Sequence, residues 1–584
     1  MLIYPHFPTR TTHDLSGVWD FAFLGDSDLD KLDPSNIRFA DRMAVPGVFD
    51  ATPAYAGKRG VACFRTIVPA TPGCAAVIRF GGCGFNTRVF VDGVEAGRCD
   101  LPYSGFQVEA PPATEDRRTL VVATDNRYDS ARQPLMEVWY DFYGYGGIYR
   151  DVVWTELRSA LFLDRVRVTV TDLDRGMVRL DCLLCGPVSA ACDLSVSFDG
   201  GKAVAIRDVK VADGTASVEM QVPQPRKWSP EDPVLHTVTV RAGEDAVVER
   251  FGLRTVRAEG KSLLLNGRPL KLKGYCRHEA HAQFGPALPP MQMLQDLQLM
   301  RDLGCNFVRG SHYPQDPRFL DLCDEMGFLV WEEALGWGYL AEQWKRPAFL
   351  EANEAQIRAM VGNSYNHPCV IMWGFLNEGA SNLPECRSVY VACAQAIRDL
   401  DRSRPVTYAT NRVLSAEGEK CLDLVDVVAL NIYPGWYAHD PNKVRPLDEI
   451  LIYLEKYRQT VADLGQGGKP FILSEIGAAA LYGWRDQLHA HYSEEYQAEY
   501  LGIVCRKVME DPEIAGVSLW QFCDCRTFAS SKALGRPRTF NNKGTFDEYR
   551  RPKQAAQEVR RWFRDGMAEG RDGGHRAGPD SRHL

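Results

Sequence analysis

No stretch of the 584 residues comes near the roughly 20 consecutive apolar side chains that a membrane helix needs. The start, Met1-Leu2-Ile3-Tyr4-Pro5-His6, lacks a charged segment leading into an apolar one. Membrane insertion and export are therefore not expected, and a cytoplasmic location fits best. Basic runs long enough to follow a phosphate backbone are also missing. The 68 Lys and Arg face 76 Asp and Glu, for a net charge of -8, which argues against nucleic acid as a partner. Cys182-Leu183-Leu184-Cys185 and Cys523-Asp524-Cys525 have no second matching pair at zinc-finger spacing, so neither is expected to bind metal. The 17 cysteines, an odd number scattered through apolar segments, suit buried reduced thiols and not a disulfide framework.

What is present is enough apolar content, 45%, to build several cores in a chain too long for one. Residues 1–160 alternate in short strands such as Ala75–Phe80, Thr87–Val91 and Thr119–Ala123, with Asp92-Gly93 as a hairpin turn. This predicts a jelly-roll β-sandwich ending in an aromatic loop, Trp139–Gly147. Residues 161–256 alternate again, as in Arg165–Val170 and His236–Val240, over the length of one immunoglobulin-like sandwich.

Over residues 257–567 strands and amphipathic helices take turns. The strands are expected at Leu270–Tyr275, Asn306–Gly310, Phe328–Trp331, Val370–Phe375, Pro405–Ala409, Val425–Leu430, Phe471–Ser474 and Val517–Phe522. Eight such units predict a (β/α)8 TIM barrel, with its active site at the strand ends. Residues 568–584, nearly free of apolar side chains, read as a frayed tail.

Two of those strand ends carry a carboxylate, Glu378 after strand four and Glu475 after strand seven. One sheet can aim both into a single cleft, which is what cleavage of a glycosidic bond requires: one carboxyl group protonates the leaving oxygen while the other attacks or activates water. Other strand ends are heavily loaded too: His278, His312, Glu332 and Glu333, Asn431 and Tyr433, with Trp520 expected inside strand eight.

Asn306-Phe307-Val308-Arg309-Gly310-Ser311-His312-Tyr313-Pro314, with Cys323–Val330 behind it, and Asn366–Glu378 resemble the two signatures of family 2 glycoside hydrolases. The order and size of the two sandwiches fit the same family. The resemblance implies that Glu378 is the general acid/base and Glu475 the nucleophile of a retaining double displacement. It implies that Asn377 holds the sugar 2-hydroxyl, that His278 and His312 line the subsite, and that Trp520 forms an apolar wall. Asp141, on the aromatic loop, looks like the residue with which β-glucuronidases reach the sugar hydroxyls.

Asn541-Asn542-Lys543-Gly544 resembles the Asn-x-Lys motif with which β-glucuronidases hold the C6 carboxylate, and a desolvated carboxylate does demand a cation. Tyr433–Tyr437 and Met1–Phe23 resemble segments of the same enzymes. The implied activity is exo-hydrolysis of β-D-glucuronides, either small conjugates or uronic-acid-terminated oligosaccharides. A β-galacturonidase, alone or as a dual activity, is the alternative, and a β-galactosidase or a non-catalytic carbohydrate-binding protein lies further off. No cofactor is required for such hydrolysis. Some relatives bind flavin mononucleotide away from the active site, and family members are commonly dimers or tetramers. Gly310 before Ser311, Gly379 after Glu378 and Ile476 after Glu475 depart from the common pattern. The short segment Gly336–Leu350 predicts no long lid over the leaving group.

Overall fold

The computed structural model describes residues 4–437, 446–528 and 536–566. The tail 568–584 lies outside them. From Thr12 to Leu157 the chain forms antiparallel sheets of four and six strands packed face to face, with a third, three-stranded sheet at one end. Between the two larger sheets lie Trp19, Phe64, Ile78, Val122 and Trp154. The expected hairpin is present: Asp92 and Gly93 both take positive φ, 50° and 82°, as the tight turn between Asn86–Val91 and Val94–Cys99 requires.

Strands from Phe162 to Phe251 form the second sandwich. Its two halves join at a corner where only Val211 and Ala212 pair with Ala216 and Thr215. Its interior is mainly aliphatic, with Leu163, Val166, Leu180, Val196 and Val240 buried.

Eight parallel strands then close a barrel: Leu272–Arg277, Phe307–Gly310, Leu329–Glu333, Val370–Asn377, Val406–Thr410, Val428–Asn431, Phe471–Ile476 and Ile514–Leu519. Every residue of Val370–Asn377 is buried, as expected of a strand covered on both faces. Helix Pro317–Met326 shows how local chemistry sets the boundaries. Asp316 caps it by accepting from Arg318 N, proline takes its first position, and Gly327 ends it at φ 72°.

Most strand bounds differ from the sequence reading by one to three residues, and three differences bear on the site. The eighth strand lies earlier, at Ile514–Leu519, so Trp520 follows it instead of sitting within it. Val517–Phe522 looked like the strand because Phe522 is also fully buried, and apolarity alone does not separate a strand from the buried turn after it. Glu475 stands inside the seventh strand, and Glu332 and Glu333 inside the third.

The first sandwich is locked to the barrel by a buried guanidinium. Arg150 donates to Glu279 Oε2 (2.9 Å), to Pro314 O (2.6 Å) and to Tyr103 O (2.9 Å), and Tyr103 stacks on Tyr313 at 3.8 Å. The aromatic loop is thereby pressed onto the barrel mouth, where Phe142 packs against His278 and Tyr313.

Candidate active site

At the C-terminal ends of the barrel strands a cavity of about 730 Å³ opens, and Glu378, Glu475, His278, His312, Asn431, Tyr433, Tyr437, Trp520 and Asp141 all line it. Glu378 directly follows the fourth strand at φ 52°, a left-handed conformation that costs a non-glycine residue energy and is typical of functional positions. Its N–H donates to Ala409 O on the neighbouring strand (2.9 Å), which holds it there.

The two carboxylates are joined through a chain of fixed donors. Asn431 Nδ2 donates to Glu378 Oε1 (2.8 Å) and to Asn377 Oδ1 (2.9 Å), and is itself fixed by Ser474 Oγ (2.8 Å to Asn431 Oδ1). Arg309, fully buried in the second strand, donates to Asn377 Oδ1 (2.9 Å) and to Glu475 Oε1 (2.9 Å), while a bidentate pair with Glu333 fixes its plane. Tyr433 Oη donates to Glu475 Oε2 (2.7 Å). Arg309 stood in the quoted motif without being singled out. A buried arginine within an apolar strand, two residues before a serine-histidine pair, was the signal available.

Burial pushes both carboxyl groups up, Glu475 to about 8, with Arg309 opposing and the Glu378 charge adding to the rise. Because the Glu378 charge raises Glu475, the two titrate as a pair, and their donors decide where a single negative charge resides. Glu475 has a guanidinium and a phenol, and charged hydrogen bonds are roughly twice as strong as neutral ones. Glu378 accepts from the Asn431 amide and the Trp337 indole, which are neutral donors, and the Arg412 and Arg309 charges act on it without a hydrogen bond to its carboxylate. The arrangement therefore favours an anion at Glu475 and a proton at Glu378.

The histidines are neutral, because burial holds both well below the usual range. His312 Nδ1 faces Glu333 Oε1 at 2.9 Å, and its ring stacks on Trp520 at 5.1 Å. His278 Nδ1 meets Tyr313 Oη at 3.2 Å, while its buried Nε2 and the buried Nδ2 of Asn377 have no protein partner. The His278 atom, on the cavity wall, suits a hydroxyl group of a ligand.

Asn377, Asn541 and Lys543 do not line the cavity; they stand one layer behind it. Lys543 Nζ donates to Tyr437 Oη (2.8 Å) and lies 4.5 Å from the centre of that ring. Burial and the Arg536 guanidinium hold its ammonium well below the ordinary range. Asn541 Nδ2 donates to Asp141 Oδ2 (2.7 Å). Arg536, which the sequence reading passed over, is the cation on the cavity wall. It pairs with Asp141 and donates to Tyr437 Oη at 3.4 Å. Glu332 is not part of the site: it turns away to accept from Gln315 N and Ser364 Oγ.

Among the described residues, Asp324, His367 and Cys369 are the cluster whose ligand atoms lie close enough to hold a metal ion. His367 Nδ1 and Asp324 Oδ2 already satisfy each other at 2.6 Å, and none of the three lines the cavity.

Residues 256–565 match the model of the glycosyl hydrolases family 2 TIM barrel domain, and residues 164–254 match that of glycosyl hydrolases family 2. A β-glucuronidase of Streptococcus agalactiae is 26% identical over 96% of this chain and 98% of its own. A solved β-galacturonidase of Eisenbergiella tayi bound to galacturonate is 34% identical, covering 97% of this chain and 99% of that one, with a TM-score of 0.86. A Bifidobacterium dentium β-glucuronidase complexed with coumarin-3-O-glucuronide shares the fold at a TM-score of 0.84 and 23% identity, covering 96% of this chain and 98% of that one. Signature motifs, a closed barrel behind two sandwiches and paired carboxylates in one cavity thus agree with the matched models, and the chain belongs to family 2 of the glycoside hydrolases.

Proposed function

We propose that this glycoside hydrolase cleaves β-hexuronides from the non-reducing end with retention of configuration. Glu475 is the nucleophile, ionised through Arg309 and Tyr433, and Glu378 protonates the departing oxygen and later activates water. Retention requires the carboxyl groups about 5 to 5.5 Å apart, and seats on strands four and seven suit that separation. His278 Nε2, on the cavity wall, receives a sugar hydroxyl.

The observation that carries the uronide reading is the cationic corner: Arg536 on the wall and Lys543 behind Tyr437, with Asp141 as their nearby carboxylate. An entering C6 carboxylate supplies the second negative charge and draws a proton onto Lys543. A neutral hexose brings no such charge and leaves Lys543 as the uncharged amine beside the balanced Arg536–Asp141 pair. The curated relative bears the name β-glucuronidase, while the more similar solved structure is a β-galacturonidase, so both C4 epimers are candidate substrates.

Turnover of nitrophenyl β-glucuronide, β-galacturonide and β-galactoside tests the proposal. We expect both uronides, or one of them, to exceed the galactoside by orders of magnitude. A galactoside turned over as well as either uronide refutes it.

A further inference from the structure

The reading above accounts for only part of the cavity. A second set of side chains lines the same cavity, with Trp337 and Tyr457 close to Glu378: Trp337, Leu340, Asn411, Glu449, Tyr453 and Tyr457. They come from three elements. Trp337 and Leu340 follow the third strand and Asn411 follows the fifth, while the other three sit on helix Glu449–Asp463.

Tyr453 and Tyr457 are four residues apart and so share one face of that helix. Burial, Tyr453 and Glu378 push the Tyr457 phenol up, so this ring stands within reach of the Glu378 charge. Asn411 adjoins the backbone that positions the same carboxylate: Ala409 O accepts from Glu378 N, and Arg412 donates to Gly379 O at 3.3 Å. The Asn411 Oδ1 atom is buried without a partner, Glu449 is only 7% exposed on the same wall, and Leu340 and Tyr453 remain 55% and 38% exposed.

An aromatic face bordered by a buried unpaired amide and a carboxylate suits a pyranose. The ring's C–H face covers the aromatic rings, while its hydroxyls satisfy the amide and the carboxylate. A flat apolar leaving group would cover the rings and leave the Asn411 amide oxygen unpaired. We propose that these residues form a subsite for a sugar leaving group, so that the substrate is a β-hexuronosyl saccharide and not an apolar conjugate. This deepens the uronidase reading and rests on it.

The test compares two alcohol leaving groups that both need the Glu378 proton, a β-hexuronosyl-hexose disaccharide and cyclohexyl β-hexuronide; the sugar hydroxyl is intrinsically the better leaving group, so the change of preference in the variants, not the parent preference alone, judges the subsite. The parent enzyme should prefer the disaccharide in kcat/KM by about ten-fold or more, the scale of one satisfied hydrogen bond. Asn411→Ala, and independently Tyr457→Phe, should lower the disaccharide value further than the cyclohexyl value, shrinking that preference. Parallel falls in both substrates, or a parent enzyme that handles the cyclohexyl compound equally well, overturn the subsite. Nitrophenyl uronides are assayed first. If they are not turned over, the uronidase reading fails and this inference with it; if they are, the disaccharide comparison judges the subsite alone.

Discussion

Replacing Arg536 by alanine is the perturbation that most directly tests the cationic corner. The side chain is 5% exposed and is bonded to Asp141, so its loss does two things. It removes the cation on the cavity wall, and among the described residues it leaves Asp141 hydrogen-bonded through its carboxylate to the Asn541 amide alone, at 2.7 Å. Truncating one partner of a buried hydrogen-bonded charge pair costs about 2 to 5 kcal/mol. At about 1.4 kcal/mol per decade this is a fall of about thirty-fold to a few thousand-fold in kcat/KM for uronides. A neutral hexoside brings no carboxylate to be repelled by the freed Asp141, so its turnover should fall by less than about ten-fold. The double variant Arg536→Ala/Asp141→Asn removes the repulsion without restoring the cation, and should recover part of the uronide loss. Parallel kinetics on nitrophenyl uronides and hexosides, with melting curves to confirm folding, measure the difference. Equal falls on charged and neutral substrates, or a double variant no better than the single one on uronides, would refute the assignment of this corner to a carboxylate.

Lys543 gives a pH signature. Its proton affinity is depressed in the protein and rises when a carboxylate binds beside it, so binding takes up a proton between the two pKa values. Across that interval the inhibition constant of the free hexuronic acid should weaken about ten-fold per unit rise in pH. Lys543→Met should flatten the slope and lower turnover of uronides more than that of neutral hexosides. Glu475→Gln should abolish turnover, whereas Glu378→Gln should retain part of the first step with nitrophenyl leaving groups and be rescued by azide; indistinguishable variants would count against the two roles. Proton NMR during early turnover should show the β anomer first, and an α product excludes double displacement. Asp401 is held down to about 2 although burial pushes it up, because Arg404, Ser403 and the Trp373 indole bond its carboxylate. A depressed carboxylate stabilises the fold above its unfolded pKa, and that contribution is lost as pH falls through the folded value. Asp401→Asn should therefore cost about 2 kcal/mol at neutral pH, a gap that chemical denaturation at successive pH values should find shrinking below about pH 4.

Much of the barrel was legible because its strands are short, apolar and separated by amphipathic helices. The fourth strand starts at Val370 as the residues imply and runs two residues further than expected, to Asn377. Residues whose role depends on the closed barrel were not legible. Arg536 and Asn411 lie outside the regular elements, and only strand closure brings them beside Glu378 and Asp141. Tyr453 and Tyr457 read as one face of an ordinary amphipathic helix, since nothing local says whether that face meets a core or a cavity. Lys543 was legible as a residue of the mouth but not as one screened by Tyr437, because layering is a matter of side-chain packing.

The bond between Asn541 and Asp141 spans 400 residues of chain. Its two partners are made 400 residues apart, the aromatic loop well before the segment carrying Arg536 and Asn541. The sugar pocket is therefore a late product of folding. A chain stalled after the seventh strand already holds both carboxylates and Arg309, yet lacks Trp520 and the corner that selects the substrate. The corner is thus complete only once the aromatic loop of the first sandwich has met the segment that follows the eighth strand.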